Sequence, residues 1–169
     1  MSASLKLKRK NLIAGVALAC GFFFHGFAKA DQIVNVPADD KMMNAAIAKA
    51  LETLPKFWAH LAKPRPGEEN FALKLKISDG AKVEHFWCGH IEGDAVSATC
   101  VIDNDPEIVK TVKAGERIKV DPALISDWML TRGDKILGGQ TIRVLLPHLD
   151  EAQADALRAA LSDDQLEAQ

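Results

Sequence analysis

The chain has 169 residues, 21 of them Lys or Arg and 23 Asp or Glu, for a formal net charge of −2. That balance excludes the strongly basic surface that phosphate backbones or anionic lipid demand. With three cysteines, no internal repeat and no low-complexity tract, the length suits one ordinary domain with a real core.

The chain opens as a secretory leader. Lys6, Lys8, Arg9 and Lys10 precede any acidic residue, the first being Asp31. Residues 12–27 are apolar apart from Gly15, Gly21, His25 and Gly26, and Ala28-Lys29-Ala30 offers a small-x-small cleavage pattern. The reading is therefore a cleaved signal peptide over 1–30 and a single domain over 31–169. The apolar run is short for a span of about 20 residues, so no stable membrane anchor is expected after cleavage. Ala17-Leu18-Ala19 before Cys20 fits a lipobox poorly, and Lys8-Arg9-Lys10 lacks a twin arginine. The expected destination is the bacterial periplasm or the exterior. Five basic residues leave with the leader, so 16 face 23 acidic ones in the mature chain, a net charge of −7. Nucleic acid is not an expected partner.

Asp39 and Asp40 can cap a helix in which Met43, Ile47, Ala50, Leu51, Leu54, Trp58 and Leu61 recur at helical spacing, with a kink or restart at Pro55. Pro64-Arg65-Pro66-Gly67 ends it. Phe71, Leu73, Leu75 and Ile77 then alternate with Ala72, Lys74 and Lys76, as in a half-buried strand. Strands over 83–91 and 95–102 flank a tight turn at Glu92-Gly93-Asp94. Pro106 suits the first turn of a short helix over 105–112. Strands follow over 117–120, 125–131 and 141–146, the last two around a turn containing Gly133, Gly138 and Gly139. An acidic, helical tail completes the chain over 148–169. This order predicts an α+β fold: an N-terminal helix on a bent, mainly antiparallel and partly barrel-like sheet of about six strands, a short mid-chain helix and a C-terminal helix.

Cys88 and Cys100 flank the Glu92-Gly93-Asp94 turn. A three-residue loop centred on Asp94 sets them directly opposite, close enough for a disulfide in an oxidising compartment. Two alternatives compete: a zinc site with His90, which offers only three ligands, and a redox pair, which lacks C-x-x-C spacing. If Cys88 points inward with Phe86, alternation sends His85 and Trp87 to the other face. Trp128 near them would complete an aromatic, titratable binding patch. The plainer alternative is that the long helix covers this face and both tryptophans are core. Asp127 and Arg143 read as a salt bridge, or as an acid/base and an anion clamp.

No G-x-S-x-G, H-E-x-x-H, P-loop or G-x-G-x-x-G occurs, and the stretch 133–139 reads as a hairpin rather than a phosphate cradle. His85, Asp127 and one of Ser126 or Thr141 can be assembled into a triad only on paper. No catalytic residue, metal or cofactor is assigned.

At Glu84-His85-Phe86-Trp87, Asn104-Asp105-Pro106-Glu107, Gly115, Ile125-Ser126-Asp127-Trp128-Met129 and Thr141-Ile142-Arg143-Val144-Leu145 the chain resembles the YegJ-like bacterial family. The likeness runs over about 42–147. That family is a domain of unknown function. The resemblance implies one compact, often exported domain whose recurrent polar positions correspond to His85, Asn104, Asp127 and Arg143. The cysteine pair is not part of its pattern. The reading is thus an exported module that binds a small ligand or protein through His85, Trp87, Asn104, Asp127, Trp128 and Arg143. The alternatives are a hydrolase using His85 and Asp127, or a structural protein of the envelope.

Overall fold

A computed structural model describes residues 13–17, 33–37, 39–164 and 166. Eight strands form one open sheet in the order β2-β1-β4-β3-β7-β8, and β5 and β6 continue from β4. The strands are β1 (Ile13–Ala17), β2 (Ile33–Pro37), β3 (Glu68–Asp79), β4 (Lys82–Glu92), β5 (Thr99–Ile102), β6 (Arg117–Lys119), β7 (Ile125–Arg132) and β8 (Lys135–Gly138). The helices are α1 (Lys41–Ala62), α2 (Gln140–Leu145) and α3 (Glu151–Ala160). The six strands from β3 onward pair antiparallel. The sheet does not close, so the barrel-like expectation gives way to an open one.

The expected leader contributes to this sheet in the uncleaved chain. Strand β1 pairs antiparallel with β2 and, through Gly15 and Val16, parallel with Glu84 and His85 of β4. Cys20 and the cleavage site at Ala30 lie outside the described residues. Cutting before Asp31 would remove β1 and leave β2 as the first strand.

Asp40 caps α1 by accepting from the Met43 amide at 2.7 Å. The helix then runs unbroken through Pro55. Its apolar stripe lies on one face of the sheet, where Phe57 meets Trp58, Phe71 and Trp128 at centroid distances of 5.4, 5.7 and 5.6 Å. Leu73, Leu75, Phe86, Cys88, Cys100, Ile102, Val109 and Leu130 fill the rest of this main core. Alternation delivers Ala72, Trp87 and Met129 to the opposite face. There they pack against Ile142 of α2, Leu157 of α3 and Leu161. Both faces are therefore covered. Lys74, read as a solvent-facing strand residue, is fully buried.

Two elements differ from expectation. Residues 105–112 are not helical. The buried Glu84 carboxylate accepts from the amides of Glu107, Ile108 and Val109 at 3.1, 2.9 and 3.1 Å, and Asp79 takes that of Lys110. Donors claimed by side-chain carboxylates are lost to a helical ladder. The short mid-chain helix is instead α2, where a strand over 141–146 is expected. β7 is paired with β8 through a hairpin at Gly133 and Asp134. Gly138 and Gly139, at φ 80° and 60°, then turn the chain into α2. A Cβ on Gly138 would lie 2.4 Å from the Trp128 carbonyl oxygen, so only glycine fits.

The disulfide joins Cys88 to Cys100 with Cα atoms 5.6 Å apart. The register that suggested it is shifted. Cys88 lies opposite Ile102, because Asp94 folds Val96 and Ser97 into a longer loop by accepting both amides. The bridge thus joins diagonal neighbours, and both sulfurs are used, which sets aside the zinc alternative.

Candidate functional site around the second helix

Helix α2 has only six residues and Gly139 at its N-cap, so it cannot cap itself. Asp127 of β7 does it from across the chain. Its Oδ1 accepts from the amides of Trp128 (2.8 Å) and Gln140 (3.2 Å), and its Oδ2 from the amide and hydroxyl of Thr141 (both 2.7 Å). Lys74 Nζ donates to Thr141 Oγ1 at 3.0 Å and sits 5.2 Å from the Trp87 ring centroid. Burial pushes the Asp127 carboxyl up, against the opposing pull of Lys74 and these hydrogen bonds. The network is a fully buried clamp that fixes α2 to the sheet.

His85 belongs to the same face. Its Nδ1 lies 2.9 Å from Ser126 Oγ, while that hydroxyl donates to the Lys74 carbonyl at 3.2 Å. With the hydroxyl proton given to that carbonyl, the Nδ1–H tautomer of the imidazole is the one that donates to the serine oxygen. Burial, then the charges of Lys74 and Lys76, hold His85 down at about 3, so it stays neutral. A nucleophilic serine needs the reverse polarity, with its proton moving to the histidine. The carboxylate that should orient the base is occupied with α2.

The six expected site residues are thus divided. Trp87 (0% exposed) and Trp128 (3%) are both core and lie on opposite faces, so the exposed aromatic patch is not formed. Asn104 is buried beyond β5 with neither end of its amide hydrogen-bonded within the protein, as is the Trp87 indole N–H. Beside Trp87 across the ladder, Asp103 is raised to about 6, mainly by burial, against the pull of His90 and the Gly89 amide. Asp127 and Arg143 do not form the expected ion pair. Arg143 instead donates to the Ser162 carbonyl and faces Asp163 at 3.6 Å.

Trp128 and Arg143 do meet. They line a cavity of about 100 Å³ with Lys49 and Thr53 of α1, Gly138, Gln140 of α2, and Ser162, Asp163, Asp164 and Leu166. The Trp128 indole N–H donates to the Ala50 carbonyl at 2.9 Å and to Thr53 Oγ1 at 3.1 Å, which fixes the ring as the cavity wall. Lys49 and Arg143 supply cationic groups, and Gln140 an amide. Lys49 and Gln140 escaped sequence reasoning because nothing local shows that α1 and α2 pack together. Among the described residues no group of three His, Cys, Asp or Glu could hold a metal ion, and no helix is long and apolar enough to cross a membrane.

An open, mainly antiparallel sheet with a long helix on one face and two short helices on the other defines an α+β domain with a small polar pocket at one helix junction. The chain belongs to the bacterial family described as "Uncharacterized protein conserved in bacteria (DUF2314)", which it matches over residues 40–162. It is 39% identical over 137 residues to "Uncharacterized protein YegJ" of Escherichia coli (strain K12), covering 80% of this chain and 88% of that one. It is 29% identical over 141 residues to "Putative ankyrin repeat protein NMB1133/NMB1171" of Neisseria meningitidis serogroup B, covering 78% of this chain but 55% of that protein. No solved structure is significantly similar.

Proposed function

We propose that the protein is an exported, disulfide-bonded binding module of the bacterial periplasm whose ligand enters the pocket between α1 and α2. The cavity walled by Trp128 and Arg143 carries this reading. It brings a rigid aromatic surface, a guanidinium and an amide to one small concavity, groups that can orient a small polar ligand. The leader-like N-terminus and the Cys88–Cys100 bridge support export. The rival reading, a hydrolase using His85 and Asp127, has less support, because Asp127 caps α2 and Ser126 gives its proton to a carbonyl.

The three tryptophans give the test. In 15N–1H spectra of the mature protein, each indole N–H is a separate reporter. Titration with a panel of small carboxylates, phosphates and polar amides is expected to move the Trp128 signal and leave that of Trp87, on the opposite face, in place. A ligand that moves only Trp87, or a whole panel that moves neither, would overturn the assignment.

A further inference from the structure

We infer that in the exported chain β2 takes the place of the lost β1 and pairs antiparallel with the first half of β4. The mature sheet then runs β2-β4-β3-β7-β8. The inference rests on the reading of residues 1–30 as a cleaved leader, and goes beyond it to say what fills the gap that cleavage opens.

One edge of β4 is shared between two neighbours. From Trp87 onward β5 and the residues after it close that edge, with the Asp103 amide donating to the Trp87 carbonyl at 3.0 Å and Cys88 opposite Ile102. Before Trp87, among the described residues, the strand on that edge is β1, with Gly15 at Glu84 and Val16 at His85. The other edge is held by β3, from Asp79 at Lys82 to Leu73 at Cys88. Removing β1 therefore strips the edge beside Glu84, His85 and Phe86, which are 0%, 7% and 0% exposed. It also takes from β2 its strand partner among the described residues. Two unpaired edges then face each other across one strand's width, and an unpaired edge is a template for strand addition.

Direction, level and tether all fit closure of that gap. β2 runs antiparallel to β1 and β1 parallel to β4, so β2 is antiparallel to β4, the arrangement with the slightly more stable ladder. Gly15 lies opposite both Asn35 and Glu84, and Val16 opposite both Val34 and His85. A straight step inward by one strand spacing, about 4.8 Å, sets Asn35 against Glu84 and Val34 against His85 with no slip in register. Ile33-Val34-Asn35-Val36 is rich in the β-branched residues that strands favour. The step is within reach of the tether. The Pro37 carbonyl accepts the amide of Asp40, the α1 cap, at 3.0 Å, and three residues can span up to about 10 Å.

The test uses the chain recovered from the periplasmic fraction, with its first residue read by intact mass. In isotope-edited NMR spectra an Hα–Hα contact is expected for one of the opposed pairs Val34–His85 and Asn35–Glu84, because the non-hydrogen-bonded pairs of an antiparallel ladder bring these atoms close. Val36→Cys with Val83→Cys, the next opposed pair, is expected to form a second bridge beside Cys88–Cys100, seen as a further pair of hydrogens lost. With β2 left where β1 held it, these two cysteines lie two strand spacings apart, about 10 Å, beyond disulfide reach. If the double variant does not fold, the wild-type contact decides alone. A chain that begins at Asp31 but lacks the contact overturns this inference only, as does a contact found solely between differently labelled copies. A chain that keeps residues 1–30 overturns the export reading, and this inference with it.

Discussion

Glu68 illustrates how this fold keeps carboxylates out of water. Its oxygens meet Arg132 Nη2 at 2.6 Å, the Arg65 amide at 2.8 Å and His60 Nδ1 at 2.9 Å. Burial alone would raise its pKa, but these partners outweigh burial and lower it from 4.5 to about 2. A carboxyl depressed in the folded state stabilises it above the unfolded value, and that contribution is lost as pH falls from 4.5 toward 2. At about 1.4 kcal/mol per unit, it is worth roughly 3 kcal/mol. Urea unfolding between pH 5 and 2 is expected to show this acid limb in the wild type, and a much flatter one in Glu68→Gln. None of this is legible in Glu68 itself, which reads as one more exposed acid after a Pro-Gly turn. Lys74 and Trp87 show the same limit. Alternation assigns their face correctly, but only tertiary packing reveals that α2 and α3 cover it.

Helices, strands and turns separate what local pattern can specify from what it cannot. Helix α1, strands β3 and β4 and the C-terminal helix follow from apolar period and caps, which are local signals. Residues 105–112 and α2 do not, because each is decided by a carboxylate from a distant strand: Glu84 for the loop, Asp127 for the helix. Removing such a cap strands several buried donors at once. Asp127→Ala is therefore expected to destabilise the protein by about 3 kcal/mol or more, and to speed hydrogen exchange at Gln140 and Thr141 before the β3–β4 ladder. Thr141→Val, which removes one hydroxyl, should cost about 1 kcal/mol. In the β4–β5 hairpin the disulfide was readable from cysteine spacing, although Asp94 lengthens the loop and shifts the ladder. Its ring spans a separation of 12 residues. Replacing both cysteines with alanine should lower the unfolding free energy by roughly 3 kcal/mol, measured by denaturant titration.

For the molecule as a whole, the sequence conveys the class of fold more readily than the site. A pocket made by α1, the β7–β8 hairpin, α2 and the C-terminal segment joins residues far apart in the chain. Of the six site residues read from the sequence, only Trp128 and Arg143 line it. Asp127 acts one step back, by holding α2. Export matters as much as the pocket, since it decides whether the bridge forms, whether the mature charge is −7 and whether β1 stays in the sheet. Intact-mass spectrometry of the natural product, recovered from the periplasmic fraction, tests this most directly. The expected mass is that of a chain beginning at Asp31 and two hydrogens short of its reduced form. A cytosolic chain that begins at Met1 and carries free thiols at Cys88 and Cys100 would contradict the account.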